Sequence, residues 1–282
     1  MDTFHRGALT FDVLDAGPAD GEVVVLLHGF PQNARSWDLV TPALHERGLR
    51  TLCPDQRGYS AGARPLGRRA YATDELVDDV VALIDASGAE RVHLVGHDWG
   101  AAVAWGVAAA HPGRLRTLTT LSVPHPGSFL RAMVRSTQLL HSWYMFAFQL
   151  PRLPERAMDP STPKGRARFV AQMTATGLPR EAAERDADFL SAPGAMTAAV
   201  NWYRGVPFAA RPSPAPPKIS VPTLYVWSDG DRFLTRASAE HCGDYVEAPY
   251  RFEILRGADH WTPDKDADTV SALLLEHIAS AD

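Results

Sequence analysis

The residues Gly96-His97-Asp98-Trp99-Gly100 place a carboxylate between two glycines where the pattern of the chain changes. An apolar, β-like stretch (91–95) precedes them, and an alanine-rich, helix-like stretch (101–110) follows. A sharp strand–turn–helix connection presents its central side chain as a nucleophile and needs small residues on both sides. An aspartate that attacks a saturated carbon forms an alkyl ester. The alternative is that Asp98 only caps the following helix.

A second motif, Leu27-His28-Gly29-Phe30-Pro31, follows the first strongly apolar stretch. When a nucleophile sits on such a turn, the oxyanion hole combines the amide after the nucleophile with an amide from an early loop. Here these donors would be the N–H groups of Trp99 and Phe30, and the Phe30 ring would pack in the pocket. Pro31 is a position at which a cis peptide bond could shape the turn. Alone, the motif is also typical of an ordinary turn after a strand.

Two motifs near the C-terminus could supply a base and its acid. His260 lies in Gly257-Ala258-Asp259-His260-Trp261, after the last predicted strand, where a histidine can activate water. An aspartate earlier in the chain would hold its imidazole in the required tautomer. Asp231 is the preferred candidate because it lies past a glycine turn, and Asp229 is the alternative, since it could merely form that turn.

Short β-branched stretches alternate with helical stretches along much of the chain. This alternation is typical of an α/β protein with a mostly parallel sheet that helices cover on both faces. The first 16 residues predict an antiparallel strand pair. The other predicted strands are 23–27, 50–53, 92–95, 118–121, 223–227 and 252–255. The predicted helices are 37–47, 73–87, 101–110 and 266–279.

The alternation stops after Pro124 and resumes at Val221. Residues 126–208 look entirely helical, and residues 211–218 are proline-rich, as in a stiff, extended return. We therefore predict an α/β core formed by residues 1–125 and 219–282. A helical cap, residues 126–218, would be inserted over the carboxyl ends of the strands.

Composition narrows the class of protein. The net charge of −5 gives no reason to expect nucleic acid or an anionic membrane as partner. Cys53 and Cys242 match no metal motif, so we expect free thiols in a reducing compartment. We see no signal peptide, and the longest apolar run is too short to cross a bilayer. We therefore expect a cytoplasmic protein that acts on a small molecule without metal or cofactor. Formation of a homo-oligomer stays an open alternative.

Over nearly its whole length the chain resembles the epoxide hydrolases of the α/β-hydrolase fold. Seven motifs together carry this resemblance: HGFP, DQRGYS (55–60), GHDWG, SVPHPGS (122–128), NWYRG (201–205), WSDGD and GADHW. The resemblance implies that two cap tyrosines donate hydrogen bonds to the epoxide oxygen. Tyr203 matches one of them and Tyr144 the other. A phenol with a pKa near 10 can donate a hydrogen bond that stabilises the negative charge developing on this oxygen. The alternative for each tyrosine is packing between cap and core.

The resemblance implies that the enzyme converts an apolar epoxide into a vicinal diol through an ester on Asp98. A water molecule, activated by His260 and Asp231, would then hydrolyse this ester. Haloalkane dehalogenases share the nucleophile and would bind halide through Trp99 and a cap tryptophan, Trp143 or Trp202. We expect these three tryptophans and Phe30 to contact substrate. Haloacid enzymes resemble GHDRG, so Trp99 in place of arginine weighs against them. A non-catalytic binding protein on this fold is the remaining alternative.

Overall fold

The computed structural model describes residues 1–209 and 216–281. Their eight strands form a single sheet, whose order is β1-β2-β4-β3-β5-β6-β7-β8 when the strands are numbered along the chain. The strands are β1 (Thr3–Arg6), β2 (Leu9–Ala16), β3 (Val23–Leu27), β4 (Arg50–Pro54), β5 (Val92–His97), β6 (Leu115–Leu121), β7 (Thr223–Ser228) and β8 (Tyr250–Leu255). Strands β3 to β8 pair in parallel, and β2 runs antiparallel to both of its neighbours.

The predicted strands are confirmed, with ends that differ by up to three residues. Strand β3 has the predicted bounds and is buried along its whole length. A parallel strand with both faces covered reads as a continuous apolar run, which is why its limits were visible. Strand β6 begins three residues before the prediction because Arg116 interrupts the apolar pattern there.

The helices match the prediction best where the apolar period is clear. The helices are α1 (Thr41–Glu46), α2 (Thr73–Ser87), α3 (Trp99–Ala110), α4 (Pro126–Arg135), α5 (Gln138–His141), α6 (Trp143–Ala147), α7 (Leu153–Met158), α8 (Pro163–Ala175), α9 (Arg180–Leu190), α10 (Ala195–Gly205), α11 (Arg236–Ala239), α12 (Thr262–Lys265) and α13 (Ala267–Ala279). Helix α2 has the predicted bounds, whereas α3 begins two residues earlier. None of the helices in the described ranges is long and apolar enough to cross a bilayer.

The predicted helix 37–47 is wrong in its first part. A 3₁₀ turn occupies Ala34–Trp37, and helix α1 begins only at Thr41. The Asn33 side chain accepts a hydrogen bond from the Arg35 amide and so starts the 3₁₀ turn. Pro42 then favours a fresh helix start, because a first helical turn needs no amide hydrogen from it.

The side chains of β3 alternate between two apolar layers. Val24 and Leu26 pack with Trp37 and with Leu44 of α1 on one face of the sheet. Val25 and Leu27 belong to the layer on the other face, together with residues of α2 and α3. Because both layers are filled, the central strands are held rigidly, and the loops at their carboxyl ends are held with them.

In the described part of the segment between β6 and β7 there are seven helices, α4 to α10. This is the segment in which the sequence predicts the cap. The first part of the proline-rich return, residues 211–215, lies outside the described residues, and the cap boundaries stay a prediction.

A buried polar contact joins helix α9 to the loop after β3. Asp186 is fully buried, and its Oδ1 accepts hydrogen bonds from Asn33 Nδ2 (3.2 Å) and Arg185 Nε (3.1 Å). Arg185 also donates to Asp264 of α12, which accepts a further bond from Gln32. Burial, opposed by Arg185, raises the pKa of Asp186 to about 7.

The raised pKa of Asp186 makes a stability prediction. The folded state binds this proton more tightly than the unfolded state, so the stabilisation is complete below the unfolded pKa and is lost as pH rises through about 7. Asp186→Asn should therefore increase the free energy of unfolding at pH 8, by up to about 4 kcal/mol, and change it much less at pH 4. Urea unfolding at both pH values measures this. Asp188→Asn, exposed on the same helix, is the control, and an equal effect at both pH values would contradict the prediction.

Candidate active site

Asp98 occupies the turn between β5 and α3 with a backbone that side chains rarely adopt, φ 52° and ψ −121°. The turn is possible because its neighbours are glycines. A Cβ on Gly100 would overlap the Leu27 carbonyl group, and one on Gly96 would overlap the backbone of Gly100. The surrounding structure thus holds Asp98 in a strained conformation, as is common for functional residues.

The Asp98 side chain points toward the loop after β3 and makes no capping bond to helix α3. Its Oδ1 accepts a hydrogen bond of 2.8 Å from the Phe30 amide. A Cβ on Gly29 would lie 2.6 Å from the same oxygen, so only glycine fits there. The helix-capping alternative therefore does not describe what this carboxylate does. The Phe30–Pro31 peptide bond is cis.

His260 lies between two carboxylates. Its Nδ1 is 2.8 Å from Asp231 Oδ2, and its Nε2 is 3.5 Å from Asp98 Oδ2. The amides of Phe233 and Leu234 both donate to the other oxygen of Asp231 and fix its orientation. The structure thus brings together three side chains from the ends of three different strands.

Asp229, the alternative partner for the histidine, has another contact. Its Oδ1 accepts a hydrogen bond of 2.6 Å from the Gly257 amide. It therefore links the loop after β7 to the loop after β8, as a turn-forming residue does. This geometry favours Asp231 as the acid.

The charges of this group are strongly coupled. Burial disfavours the imidazolium, but Asp231 and Asp98 outweigh it and raise the pKa of His260 to about 10. Burial likewise opposes ionisation of Asp98, but His260 and the Phe30 amide overcome it and lower the pKa of this carboxyl. At neutral pH the resting site therefore contains a protonated histidine between two carboxylates.

Tyr203 and Tyr144 line the same cavity as Asp98 and His260, and their ring centroids are 6.0 Å apart. Burial raises the pKa of both phenols, and the negative charge of Asp98 raises it further. A hydrogen bond from the Trp99 indole opposes this shift at Tyr203. Both hydroxyls are thus protonated at neutral pH and can donate hydrogen bonds into the cavity. Gln149 donates to the Tyr203 carbonyl and so links the segment after α6 to α10.

The cavity has a volume of about 590 Å³ and is mostly apolar. Phe30 lines it, as expected, and Trp143 lies at its outer part with 66% of its surface exposed. The motifs do not reveal most of its other apolar side chains, because these come from cap helices whose packing the sequence does not specify. Those from the cap include Phe148, Met158 and Met173, whereas Phe233 and Trp261 come from the loops after β7 and β8.

Trp202 and Trp99 are expected to contact substrate, but the structure places their rings elsewhere. Trp202 is buried outside the cavity lining, and its indole N–H donates a 2.7 Å hydrogen bond to the Arg57 carbonyl. The Trp99 ring packs edge-on against Trp202 and Tyr203 and is also outside the lining, so only its amide is available to the site. Within the described ranges, no three His, Cys, Asp or Glu side chains are grouped so as to hold a metal ion.

Comparisons with known proteins identify the family of this chain. The family described as alpha/beta hydrolase fold matches residues 22–267. Epoxide hydrolase A of Mycobacterium tuberculosis is 32% identical over 94% of this chain and 93% of its own length. The chain belongs to the epoxide hydrolase family of the α/β-hydrolase fold. Both the resemblance drawn from the motifs and the predicted fold class are therefore confirmed.

Two further relatives cover nearly the whole chain. The AB hydrolase superfamily protein YfhM of Bacillus subtilis is 33% identical over 97% of this chain and 96% of its own length. The crystal structure of epoxide hydrolase A from Mycobacterium thermoresistibile superposes with a TM-score of 0.84 at 26% identity, covering 98% of this chain and 97% of that one. The similarity thus extends over both the sheet and the helices inserted between β6 and β7.

The pairing of His260 with Asp231 makes a prediction for its titration. Asp231→Asn removes the charge that contributes most to the raised pKa, so the pKa of His260 should fall by at least about one unit. NMR titration of the imidazole measures it. Asp229→Asn is the matched control and should leave the titration unchanged; if it lowers the pKa instead, the assignment of the acid is wrong.

Proposed function

We propose that the protein is an epoxide hydrolase that converts an apolar epoxide into a vicinal diol through an ester on Asp98. One observation carries the proposal: a buried carboxylate, a histidine paired with a second carboxylate, and two protonated tyrosines line one apolar cavity. An epoxide needs both a nucleophile at carbon and an acid at oxygen. Relatives over most of the chain are named epoxide hydrolases.

In the first step, an Asp98 oxygen forms a bond to an epoxide carbon, and the ring C–O bond breaks. The electron pair of this bond stays on the former ring oxygen. Tyr203 and Tyr144 donate hydrogen bonds to that oxygen, and one of them supplies its proton. The product of this step is a hydroxyalkyl ester of Asp98.

Ester formation converts the ion pair into a base. Asp98 loses its negative charge, which is one of the two charges that hold the pKa of His260 high. The pKa of His260 therefore falls, and its proton passes to the tyrosinate that the first step left. The neutral imidazole, still oriented by Asp231, can then take a proton from water. The site thus produces its base only after the covalent intermediate has formed.

In the second step, the activated water attacks the ester carbonyl carbon, and the amides of Phe30 and Trp99 stabilise the oxyanion. The Phe30 amide already lies 2.8 Å from an Asp98 oxygen in the resting site. Collapse of the intermediate breaks the bond between the carbonyl carbon and the diol oxygen. The proton of the resulting carboxylic acid passes to that oxygen, which gives the diol, restores the Asp98 carboxylate and leaves His260 protonated as in the resting site. All groups that these steps need come from the chain, so we propose that no metal or cofactor takes part.

The two dehalogenase alternatives fit the site less well. Release of halide needs N–H donors beside the leaving group, but the indole of Trp202 already donates to Arg57 and that of Trp99 to Tyr203. Trp143 is mostly exposed at the outer cavity. A haloacid would need a cation beside the nucleophile, where this chain has Trp99.

We also propose a cytoplasmic location, since Cys53 and Cys242 are buried free thiols.

Replacement of the base should trap the intermediate. His260→Gln cannot activate water, so an epoxide should leave a covalent adduct on Asp98 whose mass equals the whole substrate. Intact-protein mass spectrometry with peptide mapping measures it. Bromoalkanes of similar size form the comparison arm, in which an adduct lacking bromine would identify a dehalogenase. Asp98→Asn is the control without a nucleophile. If wild type forms diol but the variant forms no adduct, the role of His260 is wrong.

Removal of either cavity hydroxyl should slow ring opening. Tyr203→Phe and Tyr144→Phe should each lower the alkylation rate by about tenfold or more, because a lost charge-stabilising hydrogen bond corresponds to about 1.5–3 kcal/mol. Stopped-flow tryptophan fluorescence under single-turnover conditions measures this step. Tyr245→Phe, which stacks on His125 outside the cavity, is the control. An unchanged alkylation rate would mean that the tyrosine concerned only packs between cap and core.

A further inference from the structure

The exposed apolar side chains of this protein are concentrated in one short part of the chain. Eight of the twelve large apolar side chains exposed among the described residues lie between residues 130 and 153, in helices α4 to α7 and their connections. Scattered single residues of this kind are normal, but a concentration marks an interaction surface. We define the entrance rim as Leu139, Leu140, Trp143, Phe146, Leu150 and Leu153.

The rim adjoins the opening of the active-site cavity. Leu140 and Trp143 line that cavity and are also 71% and 66% exposed. Trp143 and Phe146 are three residues apart on α6 and so share a face. Leu130 and Val134, four apart on α4, continue the apolar surface on the helix that packs against α5. Whatever covers the rim therefore also meets molecules that enter the cavity.

The charge of this segment differs in sign from that of the whole chain. Residues 126–158 contain four arginines and one acidic residue, Glu155, in a protein of net charge −5. Glu155 is paired with Arg204 inside the cap. Arg135, Arg152 and Arg156 are exposed, and none of them is ion-paired with a described carboxylate. The expectation of no anionic membrane partner used only the net charge, which conceals this local excess.

We propose that the entrance rim docks on an anionic lipid bilayer. Exposed leucine, phenylalanine and tryptophan flanked by arginine form the side-chain set that enters the headgroup region of such a surface. A second copy of the chain fits less well, because a two-fold interface would bring the unpaired arginines of both copies together. If the activity proposed above holds, a lipid-dissolved epoxide could pass from the bilayer directly into the cavity, but the docking itself does not depend on that activity.

Vesicle flotation tests the docking directly. Wild-type protein should bind vesicles rich in phosphatidylglycerol, bind pure phosphatidylcholine vesicles more weakly, and dissociate at about 1 M salt. Arg135→Glu/Arg152→Glu should weaken binding at least about fivefold per arginine. Leu139→Ser/Phe146→Ser, whose side chains do not line the cavity, should weaken it by about tenfold or more. Leu66→Ser (97% exposed) and Arg47→Glu are matched controls outside the segment and should bind normally.

Three results would overturn the proposal. The first is that wild type does not bind the anionic vesicles, and the second is that the rim variants bind them as well as wild type does. The third is that light scattering shows a dimer for wild type and a monomer for the rim variants. The last result would show that a second copy covers the rim. Hydrolysis of a water-soluble epoxide without vesicles, measured in parallel, should be equal in wild type and rim variants. Because vesicle binding needs no turnover, failure of the docking and failure of the proposed activity are distinguishable.

Discussion

The interaction on which the site depends is the buried contact of one imidazolium with two carboxylates. Buried charges are destabilising unless each has a partner and further hydrogen bonds. Here His260 contacts Asp98 and Asp231, two amides donate to Asp231, and the Phe30 amide donates to Asp98. The loops that carry these amides must therefore be held firmly in position.

The sheet supplies this fixation. Asp98, Asp231 and His260 follow β5, β7 and β8, whose carboxyl ends lie at one edge because the strands are parallel. The early loop after β3 comes beside Asp98 because β3 pairs with β5. Glycines at 29, 96 and 100 allow backbone approaches that any side chain would prevent. Residues far apart in the chain thus meet through strand pairing and not through local sequence.

Sequence reasoning succeeded where a residue type is forced by its backbone or its chemistry. Strand β3 is visible because both its faces are buried, and the turn at Asp98 is visible because only glycine fits beside it. It failed where side-chain packing decides, as at Trp202, whose indole turns away from the cavity to the Arg57 carbonyl. The 3₁₀ turn at Ala34–Trp37 was missed because a single capping side chain, Asn33, set it. Most apolar cavity residues come from cap helices that no motif marks.

The same carboxylates explain why one histidine can serve two stages of a reaction. The imidazolium stabilises the ionised form of Asp98 and keeps the pKa of this carboxyl low, so that the proposed nucleophile is ionised at neutral pH. In the mechanism proposed above, esterification of Asp98 leaves only Asp231 to stabilise the imidazolium, so the pKa of His260 falls. A site with one carboxylate beside the histidine would lack either the ionised nucleophile or the oriented base. The proposed order of the two steps therefore follows from the electrostatics of three side chains.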